Sequence, residues 1–340
     1  MTPATLTDPG RTLLTLLMLI VSAAVLAWSA ATPTRPPDGL PELGFSLNGE
    51  DLSGPIQQSH YNELASLTPS IEWARLGFST DGDWQGTSQR YFDAATHAGM
   101  KVLLRASFPD NQYNGTEPVD ISAYGDFVAA MAARYQAKGL GGTNPVMELP
   151  NEINGTTITG ATYAAAACDA YPKLKAVDPD YKIIGASENV YDPNWKTWLE
   201  EVYQGGFANC SDGVSFHNYD TPGEGARYDF LRSVMTKYDD LDAAVWVTEF
   251  GATTCTPESS SALGCRTEQQ QADIIVGTIR QIRDRYPWIT HAILYADEDV
   301  PSRKATDKFE AHFGIYRNDA SGNITGAKPA VAALKTLYQP

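Results

Sequence analysis

The 340-residue sequence predicts an α/β fold, a single (β/α)8 TIM barrel, from three observations. Eight short apolar runs alternate with longer segments whose apolar residues recur every three or four positions, as in parallel strands joined by helices. From Leu43 to Tyr338 each unit takes about 37 residues, a length typical of this barrel. The first predicted strand is not followed by the G-x-G-x-x-G loop that an open doubly wound sheet commonly carries.

The predicted strands are short runs rich in aliphatic and aromatic residues, which favour the pleated sheet. They are Leu43–Leu47, Ile71–Phe78, Lys101–Phe108, Pro145–Leu149, Lys182–Ser187, Gly213–His217, Ala244–Phe250 and Thr290–Ala296. Helical spacing is clearest in Tyr124–Tyr135, Tyr163–Val177, Trp195–Tyr203, Tyr228–Leu241, Gln269–Tyr286 and Ala330–Tyr338. Asp120 and Thr267 precede two of these helices, where their side-chain oxygens can accept hydrogen bonds from first-turn amides.

The N-terminal residues are predicted to lie outside the barrel. Residues 12–31 hold no charged side chain, and about 20 such residues suffice to cross a bilayer. Small residues at 29–31 resemble a cleavage site, so residues 1–31 are expected to form a signal peptide or, as the second choice, an uncleaved signal anchor. A Pro-rich tether is predicted over 32–42 and the barrel over 43–340. The protein is therefore expected to be secreted or held at the cell surface.

The four cysteines are interpreted as two disulfides. Cys168, Cys210, Cys255 and Cys265 contain no C-x-x-C pair, which argues against zinc and thioredoxin-like sites, and an exported protein meets an oxidising compartment. Four cysteines allow three connectivities. The short spacing between Cys255 and Cys265 favours a loop closed on itself, which leaves Cys168 to pair with Cys210.

The net charge limits the possible partners. Acidic residues outnumber basic ones 41 to 25, which gives a formal charge of −16. This charge repels phosphate groups, so nucleic acid is not an expected partner, and membrane contact is expected only through an uncleaved anchor. The sequence has no H-E-x-x-H spacing, no G-x-S-x-G elbow and no phosphate-binding loop of the P-loop type. We expect a monomer with no metal ion and no cofactor.

Two carboxylates stand where a barrel places its active site. Glu152 follows the fourth predicted strand and Glu249 lies at the end of the seventh. Barrel enzymes carry their chemistry at the carboxyl ends of the strands, so both side chains are expected to face the same mouth. A pair of carboxylates across a cleft is what glycoside hydrolysis requires.

The motifs around these residues resemble those of the retaining glycoside hydrolases of clan A, the cellulase-like (β/α)8 group. The resemblance is carried by Asn151-Glu152 after an apolar strand and by Glu249 within V-T-E-F-G. It implies that Glu152 is the acid/base, that Asn151 binds the substrate 2-hydroxyl and that Glu249 is the nucleophile. Arg75 on the second strand matches the arginine that pairs with the nucleophile. His217 and Tyr219 match the clan's H-x-Y after the sixth strand.

The chain departs from the clan's pattern in the eighth strand. The tryptophan that forms the floor under the reacting sugar is absent, and Leu294 or Tyr295 stands in its place. Pro150 and Ile153 also flank Asn-Glu where a bulky residue and a proline are usual. A smaller floor suggests an unusual sugar ring or linkage, furanosides included.

Other polar and aromatic residues are weaker candidates. Trp84 beyond the second strand is predicted to be a sugar-stacking platform or else a local packing anchor. Glu298, within Asp297-Glu298-Asp299, is expected to line outer subsites or to belong to a solvated charged run. Glu188 is expected to face the cleft after the fifth strand. Asn154-Gly-Thr fits a glycosylation sequon, and a glycan there would obstruct the proposed cleft.

The sequence thus predicts a retaining enzyme that hydrolyses β-linked O-glycosidic bonds. The expected substrate is an extracellular or cell-wall oligo- or polysaccharide, cleaved through a covalent glycosyl-enzyme. Glu152 is expected to hold a proton near neutral pH, because partial burial and the neighbouring anion favour its neutral form. The alternative from another class is a carbohydrate-binding, lectin-like barrel without turnover.

Overall fold

Eight parallel strands close into a barrel in chain order, with the first strand pairing with the last. They are β1 (Glu42–Ser46), β2 (Ile71–Ser79), β3 (Lys101–Ser107), β4 (Val146–Glu148), β5 (Lys182–Gly185), β6 (Gly213–His217), β7 (Ala244–Phe250) and β8 (Ile289–Leu294). The predicted TIM barrel is confirmed. Two strands match their predicted bounds residue for residue, and β4 is shorter because Pro145 and Pro150 have no N–H to donate to a ladder.

The computed structural model describes residues 39–47, 56–67, 71–79, 82–136, 144–219, 222–255, 264–300 and 309–338. These residues all fall within one compact unit, Arg35–Pro340. The predicted signal segment, 1–31, and most of the predicted tether, 32–42, lie outside the described residues. Strand β1 begins at Glu42, one residue earlier than predicted.

Helices follow the strands around the outside of the barrel. They are α1 (Gln58–Ala65), α2 (Thr87–His97), α3 (Asp110–Tyr113), α4 (Ile121–Arg134), α5 (Gly160–Val177), α6 (Trp195–Gln204), α7 (Ala226–Lys237), α8 (Glu268–Arg285) and α9 (Pro329–Tyr338). Both predicted caps are present: Asp120 accepts from the Ala123 amide at 3.0 Å, and Thr267 forms a capping box with Gln270. Helix α7 ends before the predicted Leu241 because Asp239 adopts the left-handed conformation, φ 59°.

A short antiparallel hairpin precedes the last helix and was not predicted. It consists of β9 (Tyr316–Asn318) and β10 (Ile324–Ala327). Strands of three and four residues are too short to show a reliable period of two, which explains the omission.

The barrel interior is apolar in its lower part, towards the amino ends of the strands, and polar in its upper part, towards their carboxyl ends. Six buried side chains form the apolar layer: Trp73, Leu103, Val146, Ile184, Trp246 and Ile293. Gly44 belongs to this layer, since a Cβ there would lie 2.6 Å from the Cβ of Trp73. Arg75 and Glu148 are fully buried above the layer, towards the carboxyl ends of the strands. The apolar layer closes the barrel below and leaves the polar chemistry at one end.

Two disulfides connect the elements as predicted. Cys168 on α5 pairs with Cys210, with 4.8 Å between the Cα atoms, and Cys255 pairs with Cys265 at 5.0 Å. The second bridge links the segment after β7 to the segment before α8. Across the residues that the structure describes, no helix is both long and apolar enough to span a bilayer.

Candidate active site

Arg75 is the centre of the polar cluster at the mouth of the barrel. Its Nε donates to Glu148 at 2.5 Å, its Nη1 to Glu249 at 2.7 Å and its Nη2 to the Asn151 side-chain oxygen at 2.6 Å. Strands β2, β4 and β7 supply the arginine and the two carboxylates. A buried guanidinium surrounded in this way is compensated in charge and fixed in direction. The predicted contact between Arg75 and Glu249 is present.

Glu249 is held by donors on both carboxylate oxygens. Arg75 donates to Oε1, while the Tyr219 hydroxyl donates to Oε2 at 2.7 Å and His217 Nδ1 lies 3.5 Å from Oε2. The register of β7 shifts against both neighbouring strands near this residue, and such irregularities redirect side chains at barrel rims. Burial, followed by the charge of Glu249, holds the pKa of Tyr219 well above its usual value, so the hydroxyl remains a donor.

Glu152 sits in a different setting, on the loop after β4. Its backbone is left-handed, φ 50°, and its side chain is 28% exposed. His217 Nδ1 lies 2.7 Å from Oε1 of Glu152. Burial raises the pKa of Glu152, but the hydrogen bond and positive charge of His217, with smaller effects of Arg75 and Arg105, bring that pKa below its ordinary value.

The protonation expected of Glu152 is therefore wrong for this geometry. Burial lowers the pKa of His217, yet the charge of Glu249 and the contact with Glu152 outweigh it and raise that pKa above its ordinary value. These opposite shifts favour the charged form of the pair, in which the proton shared by the two side chains is on the imidazole. The expectation took into account that the charge of Glu249 raises the pKa of Glu152. It did not include the opposite effect of His217, which lies between the two carboxylates.

The two carboxylates and the imidazole are close together. One oxygen each from Glu152 and Glu249 and one ring nitrogen of His217 lie within 4.8 Å of one another. These are the described side chains best placed to hold a metal ion. Their ligand atoms, however, already contact one another, Arg75 and Tyr219, and the adjacent guanidinium supplies the positive charge that two carboxylates require.

An open cleft of about 270 Å³ lies beside Asn151 at the ends of β2 and β3. The cleft is lined mostly by polar groups, and three of its lining residues are aromatic. The lining residues are Gly77, Phe78, Ser79, Arg105, Ser107, Phe108, Asp110, Tyr113 and Asn151. The pKa of Tyr113 is raised by burial and then by the charge of Glu152, which places this tyrosine near the acid/base candidate. Arg105 and Tyr113 were not predicted as site residues, although Arg105 lies within the predicted strand Lys101–Phe108.

Of the two residues predicted to replace the tryptophan, Tyr295 rather than Leu294 packs against the aromatic rings beside the site. Leu294 is buried in the core between strands and helices, whereas Tyr295 directly follows β8 and packs against Phe313 with 5.4 Å between ring centroids. Phe313 in turn contacts Tyr219 at 5.6 Å. These three rings form one aromatic cluster beside Glu249, the residue that Tyr219 contacts.

Two predicted site residues lie away from this cluster. Trp84 packs edge-to-face on Phe127 of α4 at 5.6 Å, which fits the packing-anchor interpretation. Glu298 is 4% exposed and accepts a hydrogen bond from Asn318 Nδ2 at 2.9 Å, beneath the hairpin. Burial, together with Asp297 and Asp299, raises the pKa of Glu298 to about 8.

The expectation that Asp297-Glu298-Asp299 is solvated is wrong, since all three side chains are buried. Asp297 contacts His60 Nε2 at 3.1 Å and Asp299 contacts Lys328 Nζ at 2.8 Å. These partners come from elements far apart in the chain, so local charge patterning could not reveal them.

Glu188 is also buried, contrary to the expectation that it faces the cleft. Strand β5 ends at Gly185, and Ala186 is left-handed, φ 69°, which breaks the alternation on which the expectation rested. Neither carboxylate oxygen of Glu188 has a hydrogen-bond partner within the described part of the chain. Burial, followed by the charge of Glu152, raises the pKa of Glu188 well above its ordinary value, which favours its uncharged form.

Barrel enzymes carry their active sites at the carboxyl ends of the strands, and glycoside hydrolysis requires two carboxylates there. Glu152 and Glu249 meet this requirement, so the fold and the site indicate a glycoside hydrolase. A family model agrees: "Cellulase (glycosyl hydrolase family 5)" matches residues 64–290. The chain belongs to this family. The predicted resemblance to the cellulase-like barrels of clan A is thereby confirmed.

Solved structures show the same fold at low sequence identity. The GH53 catalytic domain of Ignisphaera aggregans matches with TM-score 0.61 and 17% identity over 91% of this chain and 98% of that one. The GH2 β-galacturonidase of Eisenbergiella tayi matches with TM-score 0.60 and 15% identity. This match covers 88% of the present chain but only 51% of the β-galacturonidase. A GH10 endoxylanase from a sugarcane soil metagenome matches with TM-score 0.59 and 13% identity over 88% of this chain and 97% of the endoxylanase. The search of curated proteins found no match.

Proposed function

We propose that this glycoside hydrolase cleaves β-linked O-glycosidic bonds with retention of configuration, with Glu249 as nucleophile and Glu152 as acid/base. One observation carries the proposal: two glutamates lie close together and have different hydrogen-bond partners. Glu249 faces donors on both oxygens, while Glu152 is paired with an imidazole that can exchange a proton with it. A separation of about 5 Å between the two carboxyl groups is characteristic of retaining enzymes. One oxygen of Glu152 lies within 4.8 Å of one oxygen of Glu249, which is compatible with that separation.

In the first step a carboxylate oxygen of Glu249 attacks the anomeric carbon and forms a covalent bond to it. The bond from that carbon to the leaving oxygen breaks, and Glu152 donates a proton to this oxygen. His217 returns the shared proton to Glu152 as substrate displaces solvent and the ionised carboxylate loses its hydration. Arg75 and Tyr219 keep Glu249 aligned with the anomeric carbon.

In the second step water attacks the anomeric carbon from the side the leaving group vacated. Glu152 takes a proton from this water, the bond between the sugar and Glu249 breaks, and the free carboxylate is regenerated. Two displacements at one carbon restore the original configuration. Esterification of Glu249 removes one of the two charges that hold the proton on His217, so Glu152–His217 can serve as a base at this stage.

The substrate groups follow from the side chains around this pair. Because Arg75 donates to the side-chain oxygen of Asn151, the amide NH2 of Asn151 is left for the sugar 2-hydroxyl. The cleft beside Asn151 would hold an adjoining sugar. Tyr295 offers a smaller floor than an indole, which favours an unusual ring form or linkage, furanosides included.

The substrate is proposed to be an extracellular or cell-wall oligo- or polysaccharide. Two disulfides support an extracytoplasmic location, and structures of the same fold include a β-galacturonidase, a β-1,4-mannanase and an endoxylanase. The acidic surface is suited to neutral polymers rather than to polyanions.

Two substitutions test the roles. Glu249→Gln should abolish turnover of every substrate, whereas Glu152→Gln should retain the first step on aryl glycosides with an activated leaving group, which needs little protonation. In Glu152→Gln the glycosyl-enzyme should accumulate on the peptide containing Glu249, as read by mass spectrometry, and azide should restore turnover with retained configuration. An inverted wild-type product would contradict the mechanism. Glycan binding without any turnover by the wild type would favour the lectin-like alternative.

A further inference from the structure

We propose that Asn154 is a positioning residue that holds the loop of Glu152 in its active conformation; this inference rests on the proposed role of Glu152. Asn154 lies two residues beyond Glu152 and is 8% exposed. Its Nδ2 donates to the backbone oxygen of Asn189 at 3.0 Å, and its Oδ1 accepts from the backbone amide of Asn189 at 2.7 Å. Both ends of the amide are therefore used on one residue of the neighbouring loop.

A third hydrogen bond joins the same two loops. The backbone amide of Glu152 donates to the backbone oxygen of Ser187 at 2.8 Å. The loop after β4 is thus attached to the loop after β5 on both sides of Ile153. Each bond lies within two residues of the Glu152 side chain, so a change in the attachment alters the direction of that side chain.

The attached loops contain two residues in a conformation that side chains disfavour. Glu152 has φ 50° and Ala186 has φ 69°, and neither is glycine. Such residues persist only where the surrounding structure holds them, and they concentrate at functional sites. The Asn154–Asn189 pair supplies that restraint for Glu152, because it closes the turn that begins with the left-handed residue.

An amide at position 154 is required for this geometry. Aspartate keeps the acceptor but loses the donor to Asn189, and it adds a negative charge near Glu152 that raises the pKa of that carboxyl. Alanine loses both bonds. The same contacts make Asn154 a poor glycan acceptor despite its Asn-Gly-Thr sequon, since its Nδ2 is buried and engaged.

The test compares Asn154→Ala with Asn323→Ala. Asn323 belongs to another sequon, Asn323-Ile-Thr, and its side-chain amide donates to Asp319 in the exposed hairpin turn. Asn154→Ala should lower kcat on substrates with poor leaving groups by about 10- to 100-fold, as for a displaced catalytic group, with KM changed less than about twofold. On activated aryl glycosides the loss of the first step should be much smaller. Asn323→Ala should match the wild type on both substrates.

Asn154→Asp provides a second readout that loss of folding cannot mimic. It should move the basic limb of the pH profile of kcat/KM to higher pH, and it serves alone if Asn154→Ala does not fold. Three outcomes would overturn the inference. They are a wild-type kcat of Asn154→Ala on substrates with poor leaving groups, an unshifted basic limb in the pH profile of Asn154→Asp, and a glycan on Asn154 in secreted protein. If Glu152→Gln itself shows no dependence on the leaving group, the proposed function fails instead.

Discussion

Glu249 and Glu152 are the same residue type at strand ends, yet their surroundings differ. Glu249 belongs to β7, its side chain is 11% exposed, and fixed donors from β2 and from the segment after β6 contact its two oxygens. Glu152 lies on a left-handed loop, is 28% exposed, and has one titratable contact, His217.

The difference matches the two tasks proposed for them. A nucleophile must keep its charge and direction, which rigid strands and uncharged or permanently charged donors ensure. An acid/base must lose and regain a proton within one turnover, which requires a partner that also titrates and access to the leaving group and to water. The following substitutions alter one side of this comparison or both.

The largest effect is expected for Arg75→Met, which disturbs both sides. The change leaves Glu148 and Glu249 without their shared cation and frees Asn151 beside Glu152. Removal of one partner of a buried ion pair costs about 3–5 kcal/mol, so urea denaturation should show a loss of this order. Unchanged stability would mean that the two carboxylates are protonated or hydrated rather than paired with Arg75.

Tyr219→Phe alters only the Glu249 side. It removes one hydroxyl, whose bond to an ionised carboxylate contributes about 1.5–3 kcal/mol, so kcat/KM should fall by roughly 10- to 100-fold. The ring contact with Phe313 is retained, so Tm should fall by only a few degrees, the amount expected for the loss of this one hydrogen bond. Steady-state kinetics and a thermal melt measure both quantities. A large drop in Tm with normal specific activity would assign Tyr219 to packing alone.

His217→Asn removes the titratable partner of Glu152, together with the weaker contact that His217 Nδ1 makes with Glu249 at 3.5 Å. In the wild type the last proton of the Glu152–His217 pair is lost at the raised pKa of the pair, above that of an ordinary histidine. In the variant the proton is lost from Glu152 alone, so the basic limb of kcat/KM should move to lower pH. The pH profile on a substrate with a poor leaving group gives the answer. A basic limb that stays in place would show that the imidazole does not share this proton.

Glu298→Gln is expected to have the smallest effect on activity and serves as the control carboxyl outside the site. The pKa of Glu298 is raised to about 8, so the unfolded chain ionises above about 4.5 while the folded chain keeps its proton. Wild-type stability therefore falls as pH rises from about 4.5 towards 8. The variant lacks this fall, so its Tm should exceed that of the wild type at pH 7 and equal it at pH 4, with kcat/KM within about twofold at both. A variant less stable at pH 7 would mean that the buried carboxyl is ionised.

Much of the molecule follows from local patterns. Alternating apolar runs predicted the closed barrel, and the rule that barrel strands carry chemistry at their carboxyl ends placed Glu152 and Glu249 together. Arg75, Asn151 and Tyr219 lie beside them, as the resemblance to clan A implies. The two disulfides followed from spacing and the expected compartment. These inferences succeed because strand order in a parallel barrel is the chain order, so sequence position translates directly into place around the mouth.

The protonation of the site was decided by tertiary contacts. The pKa of Glu152 depends on His217, 65 residues away in the sequence. The pKa of Glu298 depends first on its burial, which packing produces, and then on the charge of Asp297. The side chain of Asn154 bonds to the backbone oxygen and the backbone amide of Asn189. Every residue has these backbone groups, so the sequence gives no sign of this contact. The sequence by itself determined that Glu152, Glu249 and Arg75 reach the mouth of the barrel, because each lies on or directly after a predicted strand. Only the tertiary structure decided which of them hold protons, because pKa values depend on the distances and burial that packing sets.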